Sequence, residues 1–198
     1  MLLDIVLLPP YSLRERIGRS VRRAASDSAS VFLVDNAKLV PHVSLWHLRT
    51  SKSVIPRLVI ELRRALGKQN PVTVYSMHPT VSKKYPDTFE FEIKKNNPLV
   101  SLQGKVFTTV YRYKTGPMPP FYKPWAGVAR KQAEKYGKPL GFRPHITLGL
   151  LRNLSDVPWV VQGLAKTKFS FRAREIYVCE VNRWWQVVRV IEKVRFRT

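Results

Sequence analysis

The chain has one cysteine, only four histidines and few acids among its 198 residues. A lone cysteine, Cys179, excludes an intramolecular disulfide framework, which fits a reducing compartment; a cytoplasmic location is the expectation. No apolar run approaches the roughly 20 residues of a membrane span, so no membrane partner is expected. The apolar start, Met1 to Pro10, carries Asp4, lacks a basic leader and runs into Pro9-Pro10, so it reads as a first strand and not a signal peptide. Asn153-Leu154-Ser155 spells a glycosylation sequon, which is set aside without a secretory signal.

The shortage of acids sets the charge. Thirteen Asp and Glu face 35 Lys and Arg, a formal +22. Such a surface draws polyanions, because binding them releases counterions. Hydrophobic content of 44% and aromatic content of 11% exclude a disordered chain, and the length suffices for one substantial core or two small lobes.

Periodicity predicts a mixture of helices and strands. Leu2 to Leu8, Val31 to Val34, His42 to Leu48, Val72 to Val81, Thr88 to Lys94 and His145 to Leu151 read as strands. Tyr11 to Ser26 reads as a helix with Leu13, Ile17, Val21 and Ala24 as its apolar stripe. Ser53 to Leu66 is a second helix. A third follows Asn97 as cap and Pro98 as first residue. Trp125 to Tyr136 and Ser155 to Leu164 are shorter helices, and Phe169 to Arg197 reads as two long strands around Asn182-Arg183. In the last strand Val188, Val190, Val194 and Phe196 form one apolar face. The proline-rich stretch Thr115 to Lys123 is a lobe connection or a site loop.

One five-residue phrase occurs twice. Pro41-His42-Val43-Ser44-Leu45 returns as Pro144-His145-Ile146-Thr147-Leu148 and uses two of the four histidines. On a strand, residues two apart share a face, so each histidine points with its hydroxyl while the aliphatic residues point to a core. Two such strands would aim two imidazoles and two hydroxyls into one cleft. Displacement at phosphorus needs a base on the attacking oxygen and an acid on the leaving oxygen, and histidine titrates nearest neutrality. Ser44 and Thr147 would donate to the non-bridging oxygens. His-x-(Ser/Thr) is not a metal-ligand spacing and no carboxylate cluster lies nearby in sequence, so neither metal nor cofactor is expected.

The pair of His-x-(Ser/Thr)-(aliphatic) motifs, with Gly141-Phe142-Arg143-Pro144 leading into the second, resembles the two-histidine (2H) phosphoesterases, in particular the 2′-5′ RNA ligase-like branch of RNA 2′,3′-cyclic phosphodiesterases. The resemblance implies an α+β fold: residues 1–198 as one bilobal domain, antiparallel sheets in a pseudo-two-fold arrangement, outer helices, and a central cleft with one motif per lobe. It implies opening of RNA 2′,3′-cyclic phosphate ends to 2′-phosphates by His42 and His145, and the reverse 2′-5′ ligation. A monomer acting on RNA is the expectation. The alternatives are a phosphodiesterase for small cyclic nucleotides or 2′-5′ oligoadenylates, and an RNA-binding module with inert histidines. The +22 charge favours RNA over a small ligand.

Other residues have weaker claims. Trp46, two past Ser44, is placed on the groove side, where it would stack on a base or plug a lobe edge. Gly149 holds the matching place after Thr147 and leaves space or marks a bulge. His47 is placed on the face opposite His42 and, like His78, reads as structural. Arg143, Lys83, Lys84 and Tyr85, and Tyr122 and Lys123 in the proline-rich stretch, are candidates to reach substrate. The basic strand Arg189 to Arg197 and the arginines of the first helix are candidates for an RNA track outside the cleft.

Overall fold

The structure is a computed structural model that describes residues 1–82, 85–115 and 141–196. In chain order its elements are β1 (Leu2–Leu7), α1 (Tyr11–Ala24), β2 (Ser30–Leu33), β3 (Val43–Arg49), α2 (Ile55–Ala65), β4 (Val72–Val81), β5 (Thr88–Ile93), α3 (Asn97–Val110), β6 (His145–Leu151), α4 (Val157–Gly163), β7 (Ser170–Ala173), β8 (Glu175–Val181) and β9 (Val187–Arg195). The expected helix at Trp125 to Tyr136 and most of the proline-rich stretch lie outside the described residues.

Local chemistry explains the helices. Leu13, Ile17 and Val21 recur at helical spacing and bury one face of α1. Ile55, Leu58, Val59 and Leu62 do the same for α2, which a short 3-10 turn at Lys52–Val54 introduces. The cap of α3 is Asn96 and not the expected Asn97: the Asn96 side chain accepts the Leu99 N–H at 2.9 Å. Pro98 then falls in the first turn, where its missing N–H costs nothing.

The strands form two antiparallel sheets, ordered β3-β1-β8-β9 and β2-β6-β5-β4-β7. Helices α2 and α3 pack on the first sheet through β9 and β3, and α1 and α4 pack on the second through β2, β4 and β5. Two antiparallel sheets with helices outside are the architecture expected. The motif strands β3 and β6 approach each other from opposite sheets.

The two sheets do not draw on consecutive halves of the chain, because β2 joins the second sheet while β8 and β9 return to the first. Two expectations for the tail change. The tail makes three strands and not two. The chain breaks at Arg174, β7 pairing with β4 and β8 pairing with β1, so one extended run crosses from sheet to sheet. The alternation in β9 also slips at two bulges, which leaves Val188 and Val190 exposed at the sheet edge rather than on a buried face.

Candidate functional site

Each motif strand carries a bulge at the same place in its phrase. Along β1 and β3, Val6 pairs with Ser44 and Ile5 with Trp46, so Leu45 is the extra residue. Along β5 and β6, Glu90 pairs with Thr147 and Phe89 with Gly149, so Leu148 is the extra residue. A bulge shifts the two-residue period by one, so residues beyond it change face.

That shift overturns two expectations at once. Trp46 leaves the histidine face and packs on the core side, its ring 4.5 Å from that of Phe107 on α3. His47 takes the side expected of Trp46: it pairs with Asp4 across the strands and lies 2.8 Å from the Asp4 carboxylate. His47 also packs on Trp185, with ring centroids 4.4 Å apart.

The two motif histidines are held in the same way. His42 Nδ1 is 2.8 Å from the Val40 carbonyl and His145 Nδ1 is 2.9 Å from the Arg143 carbonyl, each two residues back. A carbonyl only accepts, so Nδ1 carries the proton in both rings. Nε2 is then the atom that takes or gives a proton.

Each ring also meets a carboxylate from the neighbouring strand. Asp4 is fully buried, and its Oδ2 accepts from the Ser44 hydroxyl at 2.6 Å while lying 3.6 Å from His42 Nε2. Burial pushes the Asp4 carboxyl up, but the charge and hydrogen bonds of His47 and His42 outweigh it and hold the group below the usual carboxylate range. Ser44 thus spends its proton on Asp4 in this state, whereas Thr147 has no such bond among the described residues.

In the second half-site Glu90 is buried, with Oε2 3.8 Å from His145 Nε2 and Oε1 2.5 Å from Arg143 Nη2. Arg143 also reaches Glu92 at 3.9 Å, so its guanidinium is engaged by two carboxylates. Desolvation by burial drives the His145 pKa below its ordinary value; Glu90 opposes this, while the charges on Arg143 and His42 add to it. His42 and His145 therefore lie within one electrostatic field. Gly149 is fixed by space, since a Cβ there would stand 2.7 Å from Leu33 and 2.8 Å from the Phe89 ring.

Sequence reasoning missed Asp4, Glu90 and His47. The signals were a lone acid inside the apolar run Leu2 to Leu8, and acids alternating with Phe89 and Phe91 in β5. Tyr85 sits in the turn between β4 and β5, its hydroxyl pKa raised by burial and by Asp87. His78 lies 3.4 Å from Glu92. Lys83, Lys84, Tyr122 and Lys123 lie outside the described residues. Among the described residues, no three His, Cys, Asp or Glu side chains converge as a metal site, and no helix is long and apolar enough to cross a membrane.

The sequence matches no protein-family profile and no curated protein. Solved structures do match. TT0787 of Thermus thermophilus superposes with a TM-score of 0.64 at 14% identity, covering 100% of this chain and 98% of its own. E. coli LigT, crystallised with 3′-AMP, gives 0.64 at 14% identity over 99% and 98% of the two chains. A protein described as a phosphoesterase gives 0.58 at 15% identity over 100% and 99%. The chain has the LigT-like fold, as the repeated motif implied.

Proposed function

We propose that the protein is a phosphoesterase that opens RNA 2′,3′-cyclic phosphate ends to 2′-phosphates, with His42 and His145 as its acid–base pair. The observation that carries this is the matched setting of the two rings. Each donates Nδ1–H to the carbonyl two residues back, and each presents Nε2 from a strand whose bulge follows the motif. The LigT-like fold, and LigT's capture of 3′-AMP, support a nucleotide substrate.

The roles divide by surroundings. His145, kept neutral by its desolvated setting, takes the proton from the attacking water. The water oxygen bonds to phosphorus and the bond from phosphorus to O3′ breaks. His42, facing the ionised Asp4, gives its proton to O3′, so a 3′-hydroxyl and a 2′-phosphomonoester result. Thr147 donates to a non-bridging oxygen; Ser44 does so once its hydroxyl turns from Asp4. With a 5′-hydroxyl attacking in place of water, the same step forms a bond from phosphorus to O5′, breaks the bond to O3′ and leaves a 2′-5′ link.

The test is turnover of an RNA ending in a 2′,3′-cyclic phosphate, in EDTA, with product identified as 2′- or 3′-phosphate. Wild type is expected to yield the 2′-phosphate, and His42→Ala and His145→Ala to lose about 10²–10⁴-fold in rate. Full activity in either variant, or activity abolished by the chelator, would refute the assignment.

A further inference from the structure

A cavity of about 570 Å³ opens where the chain passes between the two sheets, at the β1–α1 and β7–β8 junctions. Its walls carry Arg14, Arg172, Arg174 and Arg195, with Tyr177 and Leu8 between them. The volume falls in the range of nucleotide-sized sites.

The cavity's charge is largely unspent. Its one carboxylate, Glu175, lies 3.6 Å from Arg195 and 3.8 Å from Lys193 and accepts from the Tyr177 hydroxyl. Among the described residues Arg14, Arg172 and Arg174 form no ion pair, and the enclosed Nε of Arg14 has no hydrogen-bond partner. A guanidinium with no carboxylate partner suits a phosphate, whose oxygens accept its N–H groups in charge-assisted pairs.

The cavity also adjoins the histidine cleft. Leu7 pairs with Val43, so Leu8, the next residue, stands level with His42 at the cavity wall. Val6 lies between Ser44 and Tyr177 in the same row of the sheet, which puts Tyr177 two strand spacings, about 10 Å, from Ser44. A strand whose 3′ end lies between the histidines has its preceding phosphates within reach of this cavity.

We infer that the arginine-lined cavity is a second phosphate subsite, which holds a backbone phosphate of the RNA strand leading away from the reactive end. The inference rests on the proposed RNA reading of the cleft but concerns different residues. Arg14 and Arg174 clasp the phosphate, and Arg172 and Arg195 supply the field at the mouth.

The test is fluorescence anisotropy of a labelled eight-nucleotide RNA with a non-cyclic 3′-phosphate, across a salt series. Arg172→Ala/Arg174→Ala, which alters only exposed side chains, and separately Arg14→Gln are each expected to weaken binding about tenfold. The double variant should also flatten the slope of log affinity against log salt by about 2, one for each lost cation. Unchanged affinity and slope in both would overturn the subsite. So would inorganic phosphate protecting the cavity arginines from chemical modification while the RNA does not, which would mark a small-anion site. In parallel, turnover of a mononucleotide 2′,3′-cyclic phosphate should be unaffected by Arg172→Ala/Arg174→Ala, while KM for an octanucleotide rises. Equal damage to both substrates would overturn the proposal. RNA affinity that depends on these arginines, in a protein that opens no cyclic phosphate, would sustain the subsite and refute the catalytic reading.

Discussion

Asp4 is the residue on which the first half-site turns. It gathers Ser44, His47 and His42 around one oxygen with no exposure to solvent. Its pKa is lowered in the fold, so its contribution to stability is complete above the unfolded carboxylate value near 4 and is lost as pH falls through the folded value. Asp4→Asn is therefore expected to be less stable at pH 7 by about 1.5–3 kcal/mol, with the gap to wild type closing below about pH 4. Denaturant midpoints from pH 7 to 2.5 would measure it, and a gap independent of pH would contradict the ionised tetrad. His145 has the same sign: with a folded pKa below the unfolded one, the unfolded chain binds more protons, so stability falls as pH drops below about 6.5. His145→Gln should remove that slope.

At the scale of the element, the two bulges decide which side chains share a face with the motif histidines. The repeated phrase was legible because its histidine and hydroxyl lie before the bulge, where the two-residue period still holds. Beyond Leu45 the period failed, which is why Trp46 and His47 exchanged faces. Pairing register is a tertiary property, and nothing local in Leu45-Trp46-His47 announces the extra residue. Trp46→Ala is accordingly expected to cost about 3 kcal/mol of stability and to leave RNA affinity alone. A stacking tryptophan would do the reverse. Gly149→Ala tests the second bulge: a methyl 2.7 Å from Leu33 and 2.8 Å from Phe89 must push the strands apart. A loss of about 1–3 kcal/mol by calorimetry is expected; unchanged stability would mean that the β5–β6 contact yields freely.

At the scale of the whole molecule, two sheets bring together residues that sequence distance keeps apart: Asp4 with Ser44, Glu90 with His145, and the two motifs with each other. The fold class followed from the motif's resemblance and the mixed periodicity. The interleaving of the two sheets along the chain did not, because the switch at Arg174 leaves an unbroken extended run in sequence. The acids that serve the histidines were equally hidden, since each comes from a strand neighbour. The central claim is that His42 and His145 act as acid and base on one phosphate. The most direct measurement is the pH–rate profile of cyclic phosphate opening for wild type, His145→Ala and His42→Ala. A bell is predicted for wild type, with its ascending limb lost in His145→Ala and its descending limb lost in His42→Ala. A flat wild-type profile, or variants that keep both limbs, would contradict the account.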